Sequence, residues 1–332
     1  MKTLLYPWQM EQWQRLQLAK TENRLPHALM LTGMAGIGKR VFADALVRSL
    51  LCEQSNVLTV DHDCQCHACH LVTGRSHPDA MWVEPEKVGQ AIKVDQVREV
   101  NHFIQQSSMG AMNRVVVIYP ADAMNINAAN ALLKTLEEPS NHAFIVLICD
   151  QVGRLPATIL SRCQRVHFAR PLKEVAMQWL QQTSIQAGQQ ADLLLRLAQG
   201  APCAALTLAA EDGLVMRQQI IHQLSGLANG LLDPLQVATN IKEADYLYFI
   251  DIFMLWLLDV IKLQLGADSN HVVNIDNVSE LQWLKEKSDI NHHLRTVTAL
   301  QQLQQSAQKG LNLNKKLMME QVLIRWSAEV RV

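Results

Sequence analysis

The chain has almost no net charge. Its 332 residues carry 30 Lys and Arg against 31 Asp and Glu, a balance of −1. A strong basic field would draw a protein onto nucleic acid without partners, and this chain has none. The first residues, Met1-Lys2-Thr3-Leu4-Leu5-Tyr6-Pro7-Trp8-Gln9, contain no apolar core of a secretory signal. Seven cysteines without such a signal point to a reducing compartment, with metal ligation or free thiols rather than disulfides. No internal repeat or low-complexity tract stands out. One long apolar run, Tyr246 to Leu265, has the length of a membrane span, but it carries Asp251, Asp259 and Lys262. Charges at bilayer depth are expensive, so a buried helix in a helical bundle is the expectation. No strand pattern recurs after Pro171. No Ser-His-Asp set or paired-carboxylate arrangement is legible either, and His292-His293 reads as a solvated face.

At the centre of what is present lies Gly33-Met34-Ala35-Gly36-Ile37-Gly38-Lys39-Arg40. It follows the G-x-x-x-x-G-K-[ST] spacing of a phosphate loop up to its last position. There the loop needs a hydroxyl to hold magnesium, and Arg40 has no lone pair to offer. The flanks fit the motif: His27 to Thr32 reads as a buried strand, and an apolar helical pattern runs from Val41 to near Cys52. Gly33, Gly38 and Lys39 are the candidate phosphate-binding residues, in a degenerate and vestigial loop. Gly36, Gly38 and Lys39 retain the means to cradle an anion.

Further along, residues 79–84, 114–118, 143–148 and 164–168 read as strands. Helices are expected at 1–22, 94–106 and 127–137, with Pro156 opening a one-turn helix. In the 127–137 helix, Ala129, Leu132, Leu133 and Leu136 form one apolar stripe. Strands alternating with helices imply a doubly wound parallel sheet. Residues 52–76 read as an irregular cysteine-rich insert. Residues 172–208 read as two or three short helices broken at Gly188 and Gly200, and long helices follow. Three domains are expected: an α/β domain at 1–170 with a metal insert at about 52–70, a helical lid at 171–208, and a helical domain at 209–332.

Three stretches carry a family likeness. They are Arg24-Leu25-Pro26-His27-Ala28, Asn130-Ala131-Leu132-Leu133-Lys134-Thr135-Leu136-Glu137-Glu138-Pro139 and Leu155-Pro156-Ala157-Thr158-Ile159-Leu160-Ser161-Arg162-Cys163. The chain resembles the clamp-loader subunits of bacterial DNA polymerase III, which are AAA+ proteins. The resemblance covers essentially the whole chain. It implies an AAA+ P-loop domain with a five-stranded parallel sheet, a small helical lid and an all-α C-terminal collar.

The likeness also exposes losses. An AAA+ motor needs an acidic pair after its third strand, and here Tyr119-Pro120 stand there, with Asp122 as a turn residue. The family's two sensing positions fall near Cys149 and at Cys203. With Arg40, four parts of the ATP machine are missing, so no ATP binding or hydrolysis by this chain is expected. Ser161-Arg162-Cys163 matches the motif that supplies an arginine finger in trans, with Arg162 completing a neighbour's site.

The resemblance also implies a structural zinc held by Cys52, Cys64, Cys66 and Cys69. The family spaces the last three by two residues, whereas one residue separates Cys64 from Cys66, and His62, His67 or His70 are possible substitutes. Cys149 and Cys163 read as buried structural cysteines. The implied partners are gamma/tau-like motor subunits and a delta-like clamp-opening subunit in a hetero-oligomeric ring. The sliding clamp and primed DNA are met at the level of the assembly, in the cytoplasm and without a membrane. By resemblance the chain is a non-motor part of a nucleotidyltransferase holoenzyme. One rival is an active AAA+ motor subunit; another is a stand-alone zinc-dependent DNA-binding protein. Lys315 and Lys316 are weak evidence for phosphate contacts.

Overall fold

In the computed structural model, residues 5–54, 58, 64, 66–87, 89–106, 113–140, 142–210, 213–308 and 314–330 are described. The chain divides into two compact units, Met1–Val175 and Ala176–Val332.

The first unit is built on five parallel strands in the order β2-β3-β4-β1-β5. They are β1 (Ala28–Thr32), β2 (Ala80–Val83), β3 (Arg114–Ile118), β4 (Ala143–Cys149) and β5 (Gln164–His167). β1 pairs with β4 on one side, Ala28 opposite Ile145, and with β5 on the other, Leu29 opposite Gln164. The apolar, β-branched sequence of β3 is buried at every position, as a central parallel strand must be. Between the strands run α1 (Met10–Thr21), α2 (Lys39–Leu51), α3 (His67–Thr73), α4 (Val94–Gln105), α5 (Ile126–Glu137) and the one-turn α6 (Ala157–Leu160). The Asn125 side chain accepts from the Ala128 N–H and starts α5. Ala129, Leu132 and Leu136 of its stripe are buried against Ile145 and Leu147 of β4. Phe42 of α2 sits edge-on between the rings of Trp13 and Phe168, at 5.3 and 4.9 Å.

The insert is less irregular than its sequence suggests. α3 forms because Ala68, Cys69 and Val72 fall on one buried side of a helix. Gly74 then ends it.

The second unit is helical: α7 (Lys173–Thr183), α8 (Ile185–Gln189), α9 (Ala191–Leu197), α10 (Pro202–Ala210), α11 (Gly213–Ala228), α12 (Pro234–Asn240), α13 (Tyr246–Gln264), α14 (Val278–Lys287), α15 (Ile290–Gln308) and α16 (Lys315–Val330). Gly188 lies inside α8 rather than breaking a helix. A Cβ there would meet the Gln181 backbone at 3.0 Å, so the glycine serves close packing. Gly200, at φ +86°, is the true break between α9 and α10. Among the described residues, two buried clusters fill the unit. One joins Leu180, Leu194 and Ala205, and the other gathers α11, α13, α15 and α16 around Phe253, Trp256 and Trp326.

The long apolar run is α13, buried within this second cluster. Its fully buried Asp259 accepts from the backbone N–H groups of Val273 and Asn274 at 2.8 Å and pairs with Lys262 at 2.8 Å. A buried carboxylate is tolerable when its oxygens are so occupied. Among the described residues, no single helix is long and apolar enough to cross a membrane.

His292 and His293 are not a solvated face. Both are buried, because α15 turns them toward α16 and the start of its own helix. A ring nitrogen of His292 lies 3.1 Å from the Trp326 carbonyl, and one of His293 lies 2.6 Å from Ser288 Oγ.

Phe42→Ala should lower the stability of the first unit by about 3–5 kcal/mol, read as a lower denaturant midpoint for its transition. In the second unit, burial and the neighbouring His292 bring His293 down to about 4. Its neutral form stabilises the fold, and that stability is lost as pH falls from about 6.5 toward 4. Burial lifts Asp251 to about 6, against the hydrogen bond from Gln304, so its protonated form adds stability as pH falls through 6. The two effects oppose each other over this range. Asp251→Asn should therefore make the melting temperature drop more steeply than wild type between pH 6.5 and 4.

Candidate functional site

β1 ends at Thr32, and the chain turns through Gly33, Gly36 and Gly38, all at positive φ, into α2. This loop lies at the carboxyl edge of the sheet, where β1 sits between β4 and β5. Ligand sites of open α/β sheets lie at such edges. A Cβ on Gly38 would run into the Tyr6 ring, and one on Gly33 would meet the Phe168 carbonyl. Both glycines are therefore required by close approach as well as by conformation.

The loop is filled by its own side chains. Lys39 is 4% exposed. Its Nζ donates to the carbonyls of Gly33 and Met34 at 2.6 and 2.7 Å and pairs with Asp150 at 2.6 Å. Asp150 follows β4 directly, and its backbone N–H donates to Asp122 Oδ1 at 2.9 Å. From the other side, Trp8 Nε1 donates to the Ile37 carbonyl and Gln9 Nε2 to the Gly38 carbonyl, both at 2.9 Å.

At the position of the missing hydroxyl, Arg40 pairs with Glu84 at 2.5 Å and lies over the Tyr119 ring at 5.4 Å. Arg75, just after α3, shares the same Glu84 oxygen at 2.8 Å. No carboxylate stands at Tyr119 or Pro120. Cys149, beside them at the end of β4, is fully buried, and burial pushes its thiol up to about 12. Cys163 is buried as well, and Cys203 is partly exposed. Lys315 and Lys316 are taken up by Glu243 and Glu320.

Arg162 lies in the turn between α6 and β5. Its Nε donates to Glu137 Oε1 at 2.7 Å, and its Nη2 pairs with the same oxygen. Nη1 donates to the Thr158 carbonyl at 3.0 Å and to Ser161 Oγ at 3.2 Å. The side chain keeps 33% of its surface exposed. Ser161 is thus a support for the guanidinium, while Cys163 turns into the core.

The cysteines come together at the far end of α2. Cys52 caps α2, and Cys66 and Cys69 bracket the first turn of α3. The ligand atoms of Cys52, Cys64, Cys66 and Cys69 all lie within 4.8 Å of one another. Cys52 and Cys64 sulfurs are 3.6 Å apart. A tetrahedral zinc with Zn–S bonds of about 2.3 Å would set sulfurs roughly 3.8 Å apart, so the cluster fits such an ion after a small contraction. The tight Cys64–Cys66 spacing is accommodated because Arg48 of α2 holds the Cys64 carbonyl at 2.7 Å. Burial opposes ionisation of Cys66, but N–H groups of Cys69 and Glu53 and neighbouring thiols bring it down to about 7. His67 and His70 point outward on α3 and are not in the cluster, and His62 lies outside the described residues.

Three carboxylates at these sites escape sequence reasoning: Asp150, Glu84 and Glu137. Asp150 had a signal, since a lysine buried in a loop requires a counter-charge. Glu137 stood in a family-like stretch but read as a helix-closing residue, and Glu84 had no signal.

Residues 8–171 match the family model described as DNA polymerase III, delta subunit, and residues 211–328 match the one described as its C-terminal part. The DNA polymerase III subunit delta' of Pseudomonas aeruginosa is 33% identical over 325 residues, 98% of each chain. The corresponding Haemophilus influenzae protein is 30% identical over 329 residues, covering 99% of this chain and 98% of that one. A solved gamma subunit-related protein of DNA polymerase III from Thermotoga maritima is 18% identical. Its TM-score is 0.46, over 95% of this chain and 99% of that one.

The cysteine cluster predicts a measurable metal content. The purified chain should carry one equivalent of zinc by elemental analysis, and Cys66→Ser should lose it along with several degrees of first-unit melting temperature. Full zinc occupancy in that variant would remove the cysteine from the ligand set.

Proposed function

The chain belongs to the DNA polymerase III delta' family, and from that membership we propose that it is the non-motor subunit of a clamp loader. In this reading it binds no ATP of functional strength and hydrolyses none. It helps place a sliding clamp on primed DNA as a partner for gamma/tau-like motor subunits and a delta-like clamp-opening subunit. Its 209–332 helices join the collar, and residues 171–208 act as the lid.

The observation that carries the silent site is the state of Lys39. In a working phosphate loop this ammonium reaches the β and γ phosphates. Here it is held by two loop carbonyls and Asp150, at 2.6–2.7 Å. A nucleotide would have to displace that carboxylate. Arg40 stands where the metal-binding hydroxyl would be and pairs with Glu84, and the positions after β3 are Tyr119 and Pro120 rather than an acidic pair. Loss of any one part could be compensated. Loss of all leaves the loop as a structural turn.

The trans role rests on Arg162. An arginine finger contributes charge stabilisation to phosphoryl transfer in a neighbouring site. Arg162 is exposed enough to reach out and is braced by Glu137, Thr158 and Ser161. The cysteine cluster, loaded with zinc, would bind the end of α2 to the start of α3. It would supply local order and no chemistry.

Two measurements test the reading. The purified chain should show no ATP turnover, with or without primed DNA. Turnover that vanishes in Lys39→Ala would make it a motor subunit instead. In the assembled loader, Arg162→Ala should lower turnover at the site it completes by about 10³-fold or more. The summed ATPase should fall by the share that site contributes, and an unchanged rate would remove the finger role.

A further inference from the structure

Arginine carries five N–H donors in one rigid plane. The contacts of Arg162 divide them unequally. Nε and one N–H of Nη2 go to a single oxygen of Glu137, and Nη1 is engaged by the Thr158 carbonyl and Ser161 Oγ. One N–H of Nη2 has no partner among the described residues. The guanidinium is therefore seated along its Nε–Nη2 edge, with the Nη2 corner open.

The seat is tied to the core through α5. Arg162 stands in a short turn beside β5, an edge strand whose Gln164, Arg165 and His167 are exposed. Glu137 is the last residue of α5. That helix is capped by Asn125 and anchored in the core by Leu132 and Leu136. A ring nitrogen of His27, just before β1, lies 2.9 Å from the Leu136 carbonyl at the same end. Glu137 thus presents its carboxylate from a fixed point of the sheet layer.

We propose that Glu137 is a positioning residue for Arg162. It holds the guanidinium plane so that the open corner of Nη2 faces outward, toward a phosphate bound by an adjacent subunit. This rests on the trans role of Arg162 given above. A free arginine side chain samples many rotamers, and the carboxylate removes much of that disorder before the subunits meet. Exposed ion pairs add little to stability. With Glu137 half-exposed, the pair's effect lies in orientation rather than in folding.

The test is a mutant cycle in the assembled loader, reconstituted with motor subunits, clamp and primed DNA. Glu137→Ala should lower kcat about tenfold at the completed site, in line with small misplacements of a reacting group, with KM for ATP unchanged. Glu137→Gln keeps an acceptor oxygen and should recover most of that loss. The double variant Glu137→Ala, Arg162→Ala should be no slower than Arg162→Ala alone. Both Glu137 variants should melt and assemble like wild type. An equal loss from Glu137→Ala with and without Arg162 would overturn the proposal, as would no loss from Glu137→Ala while Arg162→Ala is impaired. If Arg162→Ala itself leaves the rate intact, the trans role fails first and takes the positioning role with it.

Discussion

The first unit depends on how the charge of Lys39 is neutralised. An ammonium withdrawn from water costs several kcal/mol unless it is paired and hydrogen-bonded. Lys39 is withdrawn almost completely, and three oxygens answer for it. That requirement fixes Asp150 at the end of β4, and Asp122 in turn holds the Asp150 backbone. The loop carbonyls turn inward to the ammonium, and Trp8 and Gln9 close the loop from outside. The same carboxyl edge that would hold a nucleotide in a motor is thereby satisfied from within the chain.

Arg40 shows the same economy with a different charge. It stands where a hydroxyl would meet magnesium, and Glu84 neutralises it. Glu84 also takes Arg75, which follows directly from the helix that carries Cys69. One carboxylate therefore links the residue after the phosphate loop to the cysteine insert. α2 makes a second link, with Lys39 and Arg40 at its start and Cys52 at its end. The insert and the glycine loop lie at the two ends of one helix.

Arg162 is the contrasting case. Its guanidinium is also paired, but at the surface, where a third of it stays exposed. A buried pair such as Lys39–Asp150 closes a site. An exposed pair such as Arg162–Glu137 orients a group and leaves it available. The same two charge types thus fill one position from within and leave another at the surface.

Local chemistry wrote much of this into the sequence. The run of β3, the apolar stripe of α5 and the glycine spacing before Lys39 each determine their element from neighbours a few residues away, and they were legible for that reason. The four cysteines were legible as one group from the family likeness, and the missing hydroxyl at Arg40 by its place in a motif. The α3 helix was hidden, because seven residues carry too little periodicity to outweigh an irregular composition. The burial of His292 and His293 was hidden as well, because it depends on α16, more than 30 residues away. Tertiary structure alone decided which carboxylate meets which cation: Asp150 is 111 residues from Lys39, Glu84 is 44 from Arg40 and Glu137 is 25 from Arg162. Periodicity reports only the turn or strand in which a residue lies. The pairing of charges follows from where the sheet brings those elements together.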